Sequence, residues 1–115
     1  VRALRAHLQD QQAQGRRVLG YGAASRAVPL LVAAGVGPDL LPGIADGSAA
    51  KQGRVVPGVD IPVIAPDELL RARPDEVLLF LPDLLAEVRA ALPEIEASGA
   101  RWFSVESLLT GGDLP

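Results

Sequence analysis

The sequence predicts an α/β fold, a three-layer sandwich in which helices cover both faces of a mainly parallel sheet of five strands. Apolar runs bounded by Gly or Pro alternate with helical patterns in units of roughly 20 to 30 residues, which is typical of parallel strands joined by helical crossovers. The run 76–81 is apolar almost throughout, as buried parallel strands are. A glycine-rich turn at 20–25 separates the first strand from a helix. Together, these three observations predict a Rossmann-like domain.

The composition fits one globular domain and excludes several classes of function. The chain has 115 residues, 49% hydrophobic and 22% charged, which is enough for one core that folds alone. A formal charge of -3 argues against a protein that binds the phosphate backbone of nucleic acid. Because the chain has no Cys and a single His, disulfides, cysteine-ligated zinc and His clusters are excluded. We therefore expect a single domain over 1–115 with no metal site, no catalytic residue and no nucleic-acid partner.

The sequence also predicts the setting in which the protein works. No apolar run is long enough to span a membrane, and the first residues lack the charged and then apolar pattern of a secretion signal. We therefore expect a cytoplasmic protein with no membrane partner. The chain begins with Val1 and contains no Met, which favours a domain excised from a longer polypeptide.

The leading segment is predicted to form an amphipathic helix over 1–14. Leu4 and Leu8 lie on one helical stripe, and Gly15 supplies a stop. His7 is offset from that stripe, so we expect it on the solvent side of the helix.

The remaining elements follow from strand-like runs, helix starts and turn residues. Pro29 is tolerated only near a helix start, so the helix after the glycine turn is expected to begin near Ala24 or Ser25. Pro62 cannot donate a hydrogen bond to a ladder, which places its strand at an edge or puts Pro62 at a strand end. Fold rules give the strand order 3-2-1-4-5. The predicted elements are strands at 17–21, 41–46, 61–64, 76–81 and 102–105, and helices at 23–34, 66–72 and 83–98, the last one bent at Pro93, with a final turn at 106–110.

The glycine turn Gly20-Tyr21-Gly22-Ala23-Ala24-Ser25 is the first candidate for a binding site. Gly20 permits the tight turn, Gly22 lets a ligand approach the backbone, and the amides that follow, from Ala23 onward, point at an anion. The alternative is a sharp turn between strand and helix that binds nothing. Two roles are open for Tyr21, which can stack on a base or sugar or cover the end of the sheet.

Charged residues near this turn supply further candidates. Asp46 ends the second strand roughly 24 residues past Gly22, close to the spacing of about 20 at which such folds place an acid that binds ribose; a solvated turn residue is the alternative. Arg26, close to the predicted helix start, is a candidate ligand for phosphate. The loop Lys51-Gln52-Gly53 contains the only lysine of the chain, a point-charge donor suited to a diphosphate or sugar. For both cations the alternative is an ordinary surface residue.

The glycine turn is one of several motifs that occur in a specific order along the chain. These motifs are RVLGYGAASRAVPLL at 17–31, GVGPDLL at 35–41, Lys51-Gln52-Gly53, Pro57-Gly58 and Ile61-Pro62-Val63. In this order and spacing they resemble the C-terminal domain of sugar C-methyltransferases, the enzymes that methylate deoxysugar nucleotides for antibiotic decoration. The resemblance extends from Arg17 to Val88.

The resemblance implies a three-part enzyme. Its parts are an N-terminal zinc-binding region, a middle domain that binds S-adenosylmethionine and holds the catalytic groups, and a Rossmann-like C-terminal domain that helps to hold the NDP-deoxysugar. It implies that the present chain contributes no catalytic residue and binds no cofactor itself. The substrate-binding candidates are Gly20, Tyr21, Gly22, Ala23, Arg26, Asp46, Lys51, Gln52 and Gly53.

Three segments depart from the family pattern. The chain has Arg26-Ala27 where the family commonly has Lys-Gly, Pro82-Asp83 where the family tends to have Trp-Asn, and Val105-Glu106-Ser107 where the family has a Pro-rich close. The second change lies at the carboxyl end of a strand, where open α/β sheets bind ligands, so we expect altered substrate contacts there.

Two alternatives remain open: a non-catalytic module that senses NAD(H), coenzyme A or another nucleotide, and a purely structural domain whose glycine turn serves packing.

Overall fold

A computed structural model describes residues 2–23 and 27–106 of the chain. The predicted helix start near Ala24 or Ser25 and all but the first residue of the predicted turn at 106–110 lie outside these ranges. Within them, no helix has both the length and the apolar character needed to cross a membrane. The elements are α1 (Arg2–Ala13), β1 (Val18–Tyr21), α2 (Ala27–Ala34), β2 (Ile44–Ala45), β3 (Val55–Val56), β4 (Ile61–Ile64), α3 (Pro66–Arg71), β5 (Glu76–Leu79), a 3-10 turn (Pro82–Leu84), α4 (Leu85–Ala91), α5 (Pro93–Ala97) and β6 (Arg101–Ser104).

The described strands form one sheet of six in the order β3-β4-β2-β1-β5-β6. The five predicted strands are present in the predicted order, and neighbouring pairs among them are parallel. The prediction of five strands was wrong because Val55–Val56 adds an antiparallel strand at the edge, beside β4. Two residues are too few to show a strand period in the sequence. β4 is consequently not an edge strand, and Pro62 is its second residue, opposite the short β3.

Helices lie on both faces of the sheet, as predicted, and divide the core into two layers. Neighbouring strand residues alternate between the layers, since Val18 packs into one and Leu19 into the other, as the two-residue period of a strand requires. α1 and α2 cover the first face, and α3 and α5 cover the second. The helical side chains that are almost completely buried are Leu4, Leu8 and Leu31 in the first layer and Leu69 and Ile95 in the second.

The segment from Pro82 to Ala97 is not one bent helix. A 3-10 turn leads into α4, which ends at Ala91, and α5 begins anew at Pro93. Leu92 between them has φ -127° and ψ 63°, outside the helical region. Pro93 has no N–H for the preceding turn and restricts the residue before it, so the helix is broken there and the prediction of continuity was wrong.

His7 contradicts the expectation of a solvent-facing side chain. It is 13% exposed, and its Nε2–H donates to Glu76 Oε2 at 2.8 Å. Glu76, at the start of β5, is 1% exposed, and its Oε1 lies 3.3 Å from Arg101 Nη2. Because His7 is three residues from Leu4, it stays close enough to the apolar stripe to reach the sheet. The carboxylate that holds His7 there comes from a distant part of the sequence.

Candidate functional site

The chain reverses its direction along the sheet between β1 and β5. From β1 it runs through β2 toward β4, and it then returns to β5 on the other side of β1. In open α/β sheets such a reversal forms a crevice outside the carboxyl ends of the strands, where ligands bind. The segments that leave β1, β2 and β5 meet at this crevice, and they contain the glycine turn, Asp46 and Leu81.

Asp46 links the end of β2 to the glycine turn through a hydrogen bond. Its Oδ2 accepts a hydrogen bond from the Ala23 N–H at 2.9 Å, and its Oδ1 accepts one from the Ser48 N–H at 2.8 Å. The Asp46 N–H itself donates to Ile64 O at 3.0 Å, which extends the pairing with β4 by one residue. The Asp46 side chain is 15% exposed. Both carboxylate oxygens are therefore already engaged by backbone donors.

The Lys51-Gln52-Gly53 loop closes over the same place. Lys51 Nζ donates to Ala23 O at 3.1 Å and lies 4.0 Å from Asp46 Oδ2. Gln52 Nε2 donates to Asp46 O at 2.7 Å. The Gly53 N–H donates to Val63 O at 3.0 Å, and its φ of +83° favours glycine. The structure thus joins three sequence-predicted features, the glycine turn, the strand-end acid and the lysine loop, in one hydrogen-bond network.

Lys51 keeps donors to spare within this network. An ammonium group has three N–H donors, and one of them is used by Ala23 O. The Lys51 side chain is 48% exposed, so the other donors face solvent or a ligand. The ion pair with Asp46 is long and partly solvated, and it adds little to stability. Lys51 is therefore a cation at the rim of the crevice, and its exposed ammonium group can bind an anion.

The two glycines of the turn are packed against the protein's own side chains. A Cβ on Gly22, whose φ is +98°, would lie 3.0 Å from Leu81 Cδ1. A Cβ on Gly20 would lie 3.0 Å from Phe80 Cε2 and 3.1 Å from Ile44 Cγ1. At both glycines, therefore, the space left by the missing Cβ is filled by apolar side chains of neighbouring strands or of the segments that follow those strands.

Tyr21, the last residue of β1, has a packed aromatic ring. Its ring meets Trp102 edge to face, with centroids 5.9 Å apart and planes at 74°. Burial raises the pKa of Tyr21, and the negative charges of Asp46 and Glu87 raise it further. Among the described residues the Tyr21 hydroxyl has no hydrogen-bond partner. The ring packs against the second core layer at the last residue of β1, and the two predicted roles of Tyr21 stay predictions.

Some of the site is absent from the sequence prediction, and one predicted residue is not described. Leu81 and Trp102 were not among the candidates, although Trp102 is the only tryptophan of the chain. Their contacts with Gly22 and Tyr21 depend on the order of strands, which periodicity does not give. Arg26 lies outside the described residues. Within the described ranges, no three His, Cys, Asp or Glu side chains are arranged to hold a metal ion.

Comparisons with known proteins agree with the resemblance that the ordered motifs indicated. A family model described as the C-methyltransferase C-terminal domain matches residues 1–105. The C-methyltransferase NovU of Streptomyces niveus is 32% identical over 90 residues, which cover 78% of this chain and 21% of NovU. The chain therefore spans about a fifth of the length of this relative.

Proposed function

Because the chain belongs to the family of C-methyltransferase C-terminal domains, we propose that it holds the NDP-deoxysugar substrate of an S-adenosylmethionine-dependent C-methyltransferase. In this proposal, the residues that catalyse methyl transfer belong to other domains of the enzyme. The partners included in this proposal are the zinc-binding and S-adenosylmethionine-binding domains of the parent polypeptide, and the pathway is antibiotic biosynthesis.

The network that joins Ala23, Asp46 and Lys51 at the crevice, beside the end of β1 where Tyr21 lies, is the observation that supports this proposal best. The exposed Lys51 ammonium offers its remaining N–H donors to a phosphate group of the nucleotide. The Tyr21 hydroxyl, which has no partner among the described residues, offers a hydrogen bond to a sugar or base oxygen. Arg26, close by in the sequence, is a second cation for the diphosphate.

The residues of the crevice do not fit S-adenosylmethionine itself. A nucleoside in this fold needs a strand-end carboxylate free for its ribose and an open approach to the glycine turn. Here the Asp46 oxygens hold the Ala23 and Ser48 amides, and Leu81 lies against Gly22. The proposal therefore assigns the methyl donor to another domain. The same contacts argue against a module that binds NAD(H) through Asp46.

A titration with an NDP-deoxysugar, carried to millimolar concentration, tests the proposal. Trp102 fluorescence is the first readout, because Trp102 is the only tryptophan and its ring meets Tyr21. The amide resonances of Gly22 and Lys51 are the second. We expect saturable changes in both readouts. No change in either one would contradict the proposal and favour a structural domain.

Variants at Lys51 sharpen the titration. K51Q removes the charge-assisted contact with phosphate and is expected to weaken binding of the NDP-deoxysugar by about tenfold, while K51R keeps most of the affinity. The matched control is R71Q, which makes the same change in net charge on the exposed end of α3 and should leave binding unchanged. Equal affinities for K51Q and R71Q would exclude a role for Lys51 in binding.

A further inference from the structure

We infer that Asp46 is an internal anion that closes the Ala23 amide of the glycine turn to phosphate. This inference rests on the proposed function and refines it. It means that the diphosphate of the NDP-deoxysugar is held by side chains at the rim of the crevice, and not by the Ala23 amide.

The geometry at Ala23 carries the inference. In folds that bind dinucleotides, amides at this point of the turn face a phosphate oxygen. Here the Ala23 N–H donates to Asp46 Oδ2 at 2.9 Å, so a carboxylate occupies the place of that phosphate. A phosphate on the same N–H would lie in contact with the carboxylate, and like charges at this distance repel strongly.

The carboxylate is held firmly in this position. The Ser48 N–H donates to its other oxygen at 2.8 Å, and Gln52 Nε2 donates to the Asp46 carbonyl at 2.7 Å. The Asp46 side chain is only 15% exposed, so it has little room to move away toward solvent. Displacement by an incoming anion would break several hydrogen bonds at once.

The other side of the turn is closed by an apolar side chain. Leu81 fills the space in front of the Gly22 α-carbon, where a Cβ would lie 3.0 Å from Leu81 Cδ1 and Cγ. Lys51, by contrast, points its ammonium to the Ala23 carbonyl and keeps free donors on its exposed side. A phosphate group therefore finds a cation outside the turn and no free donor at Ala23.

The inference and the ribose-binding interpretation of Asp46 predict opposite results for D46N. If Asp46 bound a ribose, its loss would weaken nucleotide binding. If Asp46 is an internal anion, D46N removes the competing charge. The single carbonyl oxygen of Asn cannot replace both carboxylate oxygens in accepting from Ala23 and Ser48. We expect D46N to bind inorganic pyrophosphate at least tenfold more tightly than the wild-type chain does.

The experiment is a pyrophosphate titration followed by the Ala23 amide resonance in the wild-type chain, D46N and D39N. D39N makes the same charge change at an exposed aspartate after α2 that has no part in the network. We expect the largest saturable shift of the Ala23 amide in D46N, because binding at Lys51, which donates to the Ala23 carbonyl, can cause a smaller shift in the other two chains. Equal or weaker binding by D46N than by D39N overturns the inference.

A second measurement decides the matter without any variant, should D46N fail to fold. In the wild-type chain, the inference predicts that pyrophosphate shifts the Lys51 amide resonance more than the Ala23 amide resonance. A larger shift at Ala23 than at Lys51, or no shift at either amide, overturns the inference. Failure of the proposed function gives a different pattern. In that case the wild-type chain does not respond to the NDP-deoxysugar, whereas the contrast between D46N and D39N with pyrophosphate persists.

Discussion

The two ends of the sheet each contain a carboxylate with several hydrogen-bond donors, but they use it in different ways. At the carboxyl ends of the strands, Asp46 is 15% exposed and accepts from backbone amides. At the amino ends, Glu76 is 1% exposed and is held by the side chains of His7 and Arg101. One carboxylate fixes a loop beside solvent, and the other fixes a helix to the sheet.

The difference separates a network beside solvent from a buried one. Because backbone donors satisfy Asp46, the nearby side chains of Lys51 and Tyr21 keep donors for a ligand. Glu76, in contrast, is satisfied by side chains, and Phe103 packs between them with its ring 4.7 Å from that of His7 and 5.2 Å from the Arg101 guanidinium. We therefore expect changes at Glu76 to alter stability and changes at Asp46 to alter binding.

The largest effect is expected from H7A, which removes one of the two side chains that hold the buried Glu76 carboxylate. Removal of His7 leaves the buried Glu76 carboxylate with Arg101 alone, and we expect a loss of about 3 kcal/mol in the free energy of unfolding. Urea denaturation followed by Trp102 fluorescence measures this loss. Binding of the NDP-deoxysugar should be unchanged, since the proposed site lies at the carboxyl ends of the strands and the His7–Glu76 pair lies at their amino ends.

Q9A is the matched control for H7A, because Gln9 is exposed on the same helix. It should change the free energy of unfolding by less than about 0.5 kcal/mol. If H7A were as stable as Q9A, the buried cluster would not hold α1 to the sheet.

A smaller effect is expected from G22A, which tests the packing of the turn. The φ of +98° is strained for alanine, and its Cβ would lie 3.0 Å from Leu81, so we expect a loss of about 2 kcal/mol in the free energy of unfolding. In an L81A background the steric contact is gone, and only the backbone strain of about 1 kcal/mol remains. Urea denaturation of the four chains measures the coupling.

G47A is the control for this cycle, because a Cβ on Gly47 would have no neighbour within 4 Å and the residue has no positive φ. It should cost less than about 1 kcal/mol. An equal cost of G22A with and without Leu81 would show that the glycine is needed for its backbone conformation alone, and that the Leu81 contact is incidental.

Sequence reasoning grouped the candidate site residues better than it placed the members of the buried cluster, and the reason is physical. The glycine turn, Asp46 and Lys51 each follow a strand or lie in a loop marked by Gly and Pro, and parallel strands bring their carboxyl ends together. The pairing of His7 with Glu76 spans 69 positions, and nothing local to either residue indicates it. Helical periodicity alone therefore placed His7 on the wrong side of α1.

The same distinction explains the errors in the fold. The five predicted strands and their order follow from apolar runs and crossover rules, but the two residues of β3 follow a polar stretch and pair with β4 through a tight turn. The break at Pro93 was underestimated because the apolar pattern continues across it, whereas the backbone cannot. The contact of Leu81 with Gly22 requires the position of β5 beside β1, which no pattern in either segment contains.

The smallest expected effect concerns the pH dependence at Tyr21. Burial, with the charges of Asp46 and Glu87, raises the pKa of Tyr21 above its ordinary value near 10, so the folded chain keeps this proton when the unfolded chain has lost it. The resulting contribution to stability is complete below the unfolded pKa and is lost as pH rises through the folded pKa. Y21F should lack this alkaline loss.

Tyr21 is the only tyrosine of the chain, so the absorbance of tyrosinate reports this residue alone. We expect the native chain to titrate at higher pH than the chain in urea, and Trp102 fluorescence to fall in step with ionisation because the two rings are in contact. A native midpoint at or below the unfolded one would mean that Tyr21 is not covered at the carboxyl edge. The packing of the Tyr21 ring against Trp102 would then not persist in solution.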